Sequence, residues 1–356
     1  MVYLVGLAVF VIITGMLPSK YSLKHNNYER YIWLCGIVIA VLMGCRNIYI
    51  GSGDTHNYYW KFVVAKSQLT FDDYADRMFL DEGFWMSERG FYWFVWQLAQ
   101  IFDDGQILIF VTSVYITWTT CIFIRNNSED IPLSLLIYVC LGLFTFNMNG
   151  MRQAMAMSTC LLAYEAAKKR KLIFFALLVI LAMQFHKTAI CFAPMYFVPK
   201  VKNTKNNIIL FIIAGVIMLF FMDSIILTYN DLSGEDYATQ AAVSGGGVFV
   251  VLLYLIGLGL TLLQPDNLKD KNMAIWFCGT AVGLMSYVAR YFSNQMLERI
   301  SYYYFYFVIL LIPAAINRLS EKEIQLVKWL FIVFAIALFA YRVWNGGFRD
   351  FTLFFL

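Results

Sequence analysis

The sequence predicts an all-α polytopic membrane protein, with about 12 transmembrane helices plus one outer interfacial or re-entrant helix. Three observations carry this prediction. Hydrophobic residues make up 61% of 356 positions and charged residues only 14%, against about 25% charge in a soluble domain. Apolar runs of membrane length recur without the every-second-residue alternation of a barrel strand. Basic residues between the runs fall into turns that one topology can satisfy.

The first expected span, 3–17, follows Met1-Val2-Tyr3, which lacks the basic n-region of a signal peptide and so reads as uncleaved. Further spans are expected at 31–45, 106–124, 131–148, 151–167, 172–185, 188–199, 208–228, 247–263, 273–289, 300–316 and 325–343. The run at 188–199 is short. The turns that carry Lys20/Lys24/Arg30, Lys168/Lys169/Arg170/Lys171, Lys200/Lys202/Lys205, Lys269/Lys271 and Lys322/Lys328 all belong in the cytoplasm by the positive-inside rule. Twelve spans with both termini outside satisfy every one of them. The segment 88–102 is also apolar, but its crossing would put the basic turn 168–171 outside. It is therefore expected as an interfacial or re-entrant amphipathic helix. Residues 1–356 then form a single integral membrane domain. Two outer loop segments, 46–105 and 229–245, cover one side, and segments of that length are usually functional.

Several classes are excluded. A net charge of +4 without a long basic run argues against nucleic acid. The seven cysteines lie in apolar segments with no CxxC, which reads as free thiols. His25, His56 and His186 form no ligand pattern, and the pairs Asp72-Asp73 and Asp103-Asp104 bring no further ligands. Neither a metal nor a cofactor is expected.

The basic residues sort unequally across this topology. Three of 15 lysines fall outside (Lys61, Lys66, Lys187), against eight of 12 arginines: Arg46, Arg77, Arg89, Arg152, Arg290, Arg299, Arg342 and Arg349. Interface snorkelling can place some of these. A planar, permanently charged fork is also what a bound diphosphate requires, since arginine grips phosphate through paired donors and lysine only as a point charge.

The outer residues form short constellations. Arg46 leads into Gly51-Ser52-Gly53-Asp54-Thr55-His56-Asn57-Tyr58. Asp54 or Thr55 can cap the helix that follows; Asp54 can also serve as a base or a sugar-hydroxyl acceptor. Arg152-Gln153 sits in the first turn of a span, where a cation is disfavoured by up to about 1 kcal/mol unless an anion is near, and where free N–H groups offer a phosphate seat. His186-Lys187 ends a span on the outer side and suits either anchoring or proton transfer near neutral pH. Arg290-Tyr291 and Glu298-Arg299 bracket an outer turn. Glu298 and Arg299 are adjacent, so their side chains diverge and each needs another partner. Glu88-Arg89 opens the interfacial helix, a favourable place for an acid on dipole grounds alone.

The order of these pieces resembles the Wzy-type polysaccharide polymerases, specifically the EpsG family. The resemblance rests on Arg46 with Gly53-Asp54-Thr55 and Tyr58, Glu88 with its aromatic helix, Met151-Arg152-Gln153-Ala154, Phe185-His186-Lys187-Thr188-Ala189, and Leu297-Glu298-Arg299-Ile300 before Tyr302-Tyr303. It runs over about 46–310, and the spacing from Arg46 to Asp54 is longer here than is usual in the family. The resemblance implies a glycosyltransferase at the outer face of the bacterial inner membrane, with its active site on the extracytoplasmic side. Such enzymes move a growing glycan from undecaprenyl diphosphate to the non-reducing-end hydroxyl of a lipid-linked repeat unit, without a metal. The implied partners are that lipid-linked oligosaccharide, membrane lipid, and the flippase and chain-length regulator of the same pathway.

On this reading Arg152 and Arg299 hold the diphosphate, with Arg46 or Arg290 in support, and preorganised charge supplies most of the catalysis. His186 is the first choice of base and Asp54 the second. Glu88, Arg89, Gln153, Glu298, Tyr291 and Tyr58 complete the expected substrate-binding set. Three alternatives stay open, one of them a membrane acyltransferase, for which a single histidine near the outer side is thin support. An O-antigen ligase-like enzyme would carry its major outer loop late in the chain. A transporter or flippase of the lipid-linked sugar would favour internal repeats and charged or broken helices at mid-membrane, and the sequence suggests neither.

Overall fold

The structure is a computed structural model and describes residues 2–16, 25–51, 54–78, 88–198, 213, 248–291 and 296–355. The helices in chain order are α1 (Val2–Met16), α2 (His25–Gly44), α3 (Asp54–Lys66), α4 (Phe71–Arg77), α5 (Arg89–Ile101), α6 (Gln106–Asn127), α7 (Ile131–Cys140), α8 (Leu143–Asn149), α9 (Met151–Lys168) and α10 (Leu172–Phe185). A 3-10 helix (Lys187–Tyr196) follows, then α11 (Val248–Leu262), α12 (Lys271–Ala289), α13 (Met296–Phe305), α14 (Val308–Ile316) and α15 (Glu321–Asn345). The all-helical expectation holds, and most helices coincide with the apolar runs.

The structure does not confirm the count of about 12 spans. Among the described residues three helices are long and apolar enough to cross a membrane: Gln106–Asn127, Lys271–Ala289 and Glu321–Asn345. Two bent pairs raise the number to five, and Val2–Gly15, Leu172–Phe185 and Phe249–Leu262 are shorter apolar helices. The run expected at 188–199 is a 3-10 helix with Pro194 inside it, where the missing N–H and the ring oppose a regular α-helix. The runs at 131–148 and 300–316 are not straight. The first breaks at Leu141-Gly142 with a 50° bend and the second at Tyr306-Phe307 with a 44° bend, so broken helices do occur. The expected span 208–228 (Ile213 apart) and outer loop 229–245 lie outside the described residues.

Helix α9 is the axis of the bundle. Ala154, Ala156, Ala163, Ala166 and Ala167 are all buried, and small side chains let α6, α10 and the 3-10 helix pack closely on it. Outward faces are apolar: Leu34, Ile37 and Val41 on α2, Ile173, Leu177 and Leu181 on α10, and Leu326, Leu330 and Val333 on α15 are exposed. Faces of that kind need lipid rather than water. At one end of the bundle, charged pairs join the turns expected in the cytoplasm. Arg318 binds Glu129 at 2.6 Å, Lys328 pairs with Asp130, and Lys168 donates to Asn127 at 2.6 Å. The functional candidates gather at the other end.

Candidate active site

The site is built around Glu88. This residue precedes α5 with φ +51°, a left-handed conformation unusual for a residue with a Cβ. It stands at the N-cap yet makes no capping bond. Its carboxylate is turned away, 8% exposed, toward two other elements. Arg152 Nη1, in the first turn of α9, donates to Oε2 at 2.5 Å, and the backbone N–H of Lys187 donates to Oε1 at 3.0 Å. His186 Nδ1 lies 3.6 Å from the same Oε1. Gly90 makes this approach possible, because a Cβ there would stand 2.5 Å from Gln184 Cβ at the end of α10. Backbone strain at Glu88 thus accompanies a junction of α5, α9 and α10, and strain of this sort concentrates at functional sites.

His186 is buried and extended. The backbone N–H of Thr188 faces Nδ1 at 3.4 Å and Thr188 Oγ1 lies 2.8 Å from it, with Tyr303 hydroxyl a further 3.0 Å along. Burial lowers the His186 pKa to about 4; Glu88 opposes that shift, and the charges of Arg152, Arg299 and Lys187 add to it. The expectation of a near-neutral pKa is therefore corrected. The ring is neutral at physiological pH, its Nδ1 accepts from Thr188, and Nε2 carries the proton. Burial would raise the Glu88 carboxyl, but His186, Arg152 and the Lys187 N–H outweigh it and hold Glu88 below its usual range. With the ring neutral, Arg152 and Lys187 carry that stabilisation.

Helix α3 supplies the opposite wall. Asp54, Tyr58 and Lys61 share one face, being four and then three residues apart. Tyr58 places its hydroxyl beside the Arg152 guanidinium, and the Tyr92 ring lies 6.0 Å from that guanidinium. Lys61 sits 5.9 Å over the Tyr58 ring. Burial lowers its proton affinity, Arg152 adds to the effect and Asp54 opposes it. Lys61 was not singled out from sequence; its signal was the shared helical face. Thr188, Tyr303 and Tyr92 likewise take shape only in three dimensions.

Arg299 comes in from α13. Gln153 Nε2 donates to the Arg299 carbonyl at 2.5 Å, joining the start of α9 to the first turn of α13. The guanidinium is half-buried, and among the described residues it has neither hydrogen-bond nor ion-pair partner. Its charge nonetheless reaches His186. Arg152 and Arg299, distant in sequence, therefore address one place. Arg89 is half-buried in the first turn of α5.

Other expected residues stand elsewhere. Arg46 is 1% exposed, and its guanidinium donates to Met43 O, Ser113 Oγ (3.4 Å), Thr55 Oγ1 (3.3 Å) and Met148 O (2.6 Å). Arg46 thereby ties the end of α2 to α3, α6 and α8. Arg290, Tyr291 and Glu298 form a separate cluster. Glu298 pairs with Arg290, and Tyr302 hydroxyl donates to Glu298 Oε1 at 3.1 Å. No group of three or more metal-ligating side chains occurs among the described residues.

A family model, the EpsG family, matches residues 5–354. The chain belongs to the EpsG family. Membership makes it, broadly, a multi-pass membrane protein of polysaccharide polymerisation, and the Glu88–Arg152–His186–Arg299 junction is the candidate active site of this EpsG-family chain. Comparison with curated proteins and with solved structures finds no match.

Proposed function

We propose that this protein is a polysaccharide polymerase of the bacterial plasma membrane. It transfers a growing glycan from undecaprenyl diphosphate to the non-reducing-end hydroxyl of a lipid-linked repeat unit, on the extracytoplasmic side. One observation carries the reading: Arg152 and Arg299, from different helices, both bear on His186, and among the described residues Arg299 has no anion to neutralise it. A half-buried cation without a counter-ion is costly unless a ligand supplies one.

The bond from the sugar C1 to the diphosphate oxygen breaks, and the acceptor hydroxyl oxygen forms the new C1–O bond. Negative charge grows on the departing diphosphate, where Arg152 and Arg299 meet it with preorganised donors. Glu88 holds the Arg152 fork in place, a positioning role. His186 donates through Nε2–H and is not the base. The acceptor proton goes to Asp54, exposed at the start of α3, with Lys61 on the same helical face. Tyr58 and Tyr92 offer aromatic surface against which a sugar can stack. The pathway's flippase and chain-length regulator are the expected protein partners.

The two broken helices favour a second reading, a flippase of the same lipid. Purified protein with a lipid-linked repeat unit separates the two. A ladder of longer lipid-linked glycans, lost in Arg299→Gln at unchanged thermal stability, is the expected result. Lipid movement across vesicles without a ladder would sink the polymerase reading.

A further inference from the structure

Helix α13 presents two different faces to two different clusters. Arg299 and Tyr303, one turn apart, face the His186 junction, Tyr303 through Thr188. Glu298 and Tyr302, also one turn apart, occupy the adjoining face, about 100° round the helix. On that second face Glu298 is matched by Arg290, which stacks on Tyr287 at 4.3 Å and on Tyr291 at 4.6 Å.

A further cation stands beside this matched pair. Arg342, in the last turn of α15, lays its guanidinium over Gly142, at the break between α7 and α8. Gly142 has φ +117° and is buried; a Cβ there would meet Arg342 Nη1 at 2.5 Å and Nη2 at 3.1 Å. The guanidinium therefore points into the bundle rather than along the lipid surface. Its charge reaches Tyr302 and Tyr287. Among the described residues Arg342 has no hydrogen-bond or ion-pair partner, and it is half-buried. An inward cation at a break in a membrane helix is the arrangement expected of a ligand site.

Polymerisation joins two lipid-linked glycans, and each carries its own diphosphate. The junction around Arg152 and Arg299 provides for one. We propose that Arg342, beside Arg290 and Tyr302, holds the phosphate groups of the second lipid-linked substrate, so that α13 is the wall between two lipid-diphosphate sites. The proposal rests on the polymerase reading. It gives the broken span a purpose: the bend exposes the backbone at Gly142 so that a planar guanidinium can lie flat beside it. The shared wall also keeps the two phosphates apart while bringing the attached sugars to the same end of the bundle.

Purified protein in nanodiscs of phosphatidylcholine, titrated with farnesyl diphosphate and followed by native mass spectrometry, tests this. Wild type is expected to bind two equivalents, Arg342→Gln one, Arg299→Gln one, and the double variant none. Arg342→Lys is expected to keep both equivalents, with the second about tenfold weaker because the paired fork is lost. It also serves as the folded control should the glutamine variant be unstable. No binding to wild type would remove the polymerase reading itself. One equivalent, lost in Arg299→Gln and untouched in both Arg342 variants, would overturn the second site and leave that reading standing. Phosphatidylglycerol displacing the Arg342-dependent equivalent as readily as farnesyl diphosphate would overturn it too, by making the site one for ordinary headgroups.

Discussion

Replacing Glu88 with glutamine keeps the side-chain shape and removes the charge that Arg152 and the Lys187 N–H both use. The backbone strain at φ +51° is the same for either side chain, so the substitution isolates the electrostatics. Deleting one partner of a buried ion pair costs about 3–5 kcal/mol. The Arg152 side chain keeps 30% exposure, and water recovers part of the loss, which leaves about 2–4 kcal/mol. The glutamine oxygen still accepts from the Lys187 N–H, but as a neutral bond it is weaker by about 1 kcal/mol. The expected total is about 3–5 kcal/mol. A double-mutant cycle of Glu88→Gln and Arg152→Gln, read by denaturation in detergent, should show a coupling energy of at least about 1.5 kcal/mol. Chain extension should fall by about a hundredfold in Glu88→Gln, because an unheld guanidinium misplaces the leaving group. Coupling below about 0.5 kcal/mol, together with a full ladder, would refute the idea that Glu88 sets the Arg152 fork.

Other outcomes follow from the same geometry. The unfolded His186 ring binds its proton near 6.5 and the folded ring near 4, so stability is complete above pH 6.5 and declines as pH falls to about 4, by about 3 kcal/mol. Thermal midpoints across that range should fall less steeply in His186→Gln, and an equal slope would show that the ring is not buried neutral. Gly90→Ala should destabilise by about 1–3 kcal/mol through overpacking on Gln184 and weaken chain extension by moving Glu88; unchanged activity and midpoint would contradict the close approach. Arg46→Met should lower stability by about 2–4 kcal/mol by orphaning buried acceptors, while any variant protein that folds keeps its affinity for farnesyl diphosphate. Lys61→Met should weaken that affinity by about five- to tenfold with little change in midpoint, and equal affinity would place Lys61 outside the site.

Much of the helical order was legible because apolar runs and basic turns are set by the bilayer, and bilayer thickness is a fixed ruler. The breaks were not legible. Leu141-Gly142 and Tyr306-Phe307 interrupt runs whose composition stays apolar, and hydropathy does not register a bend. Gly142 signals one only once Arg342 is seen lying on it. The site was half legible. Arg152 was suspicious as a cation at a helix start, and its answer is Glu88 from 64 residues away. Glu298 and Arg299 were expected to part company, and they do, one to Arg290 and the other to the His186 side. Arg46 looked like Arg152 in sequence, an outer arginine beside a loop. Only tertiary packing distinguishes them, because the Arg46 fork finds Met43, Thr55, Ser113 and Met148 within reach. His186 looked titratable because sequence carries no measure of how much water reaches a ring.

The charge balance at the junction explains why these differences matter. Arg152, Arg299, Lys61 and Lys187 contribute four positive charges there, Glu88 and Asp54 contribute two negative ones, and His186 is neutral. Glu88 is already committed to Arg152 and the Lys187 backbone, so it adds order without cancelling Arg299. An excess of cations inside a half-buried cleft raises the free energy of the empty protein and falls when a polyanion enters. A diphosphate has the charge to match it, and its charge grows as the sugar departs. Burial keeps His186 from disturbing this balance, since a protonated ring beside Arg152 would compete with Arg152 for Glu88 and loosen the fork that meets the phosphate. Lowering the pH should therefore depress chain extension before it unfolds the protein. A rate that stayed level from pH 6 down to pH 4 would mean that the cleft does not sense the charge of its own histidine.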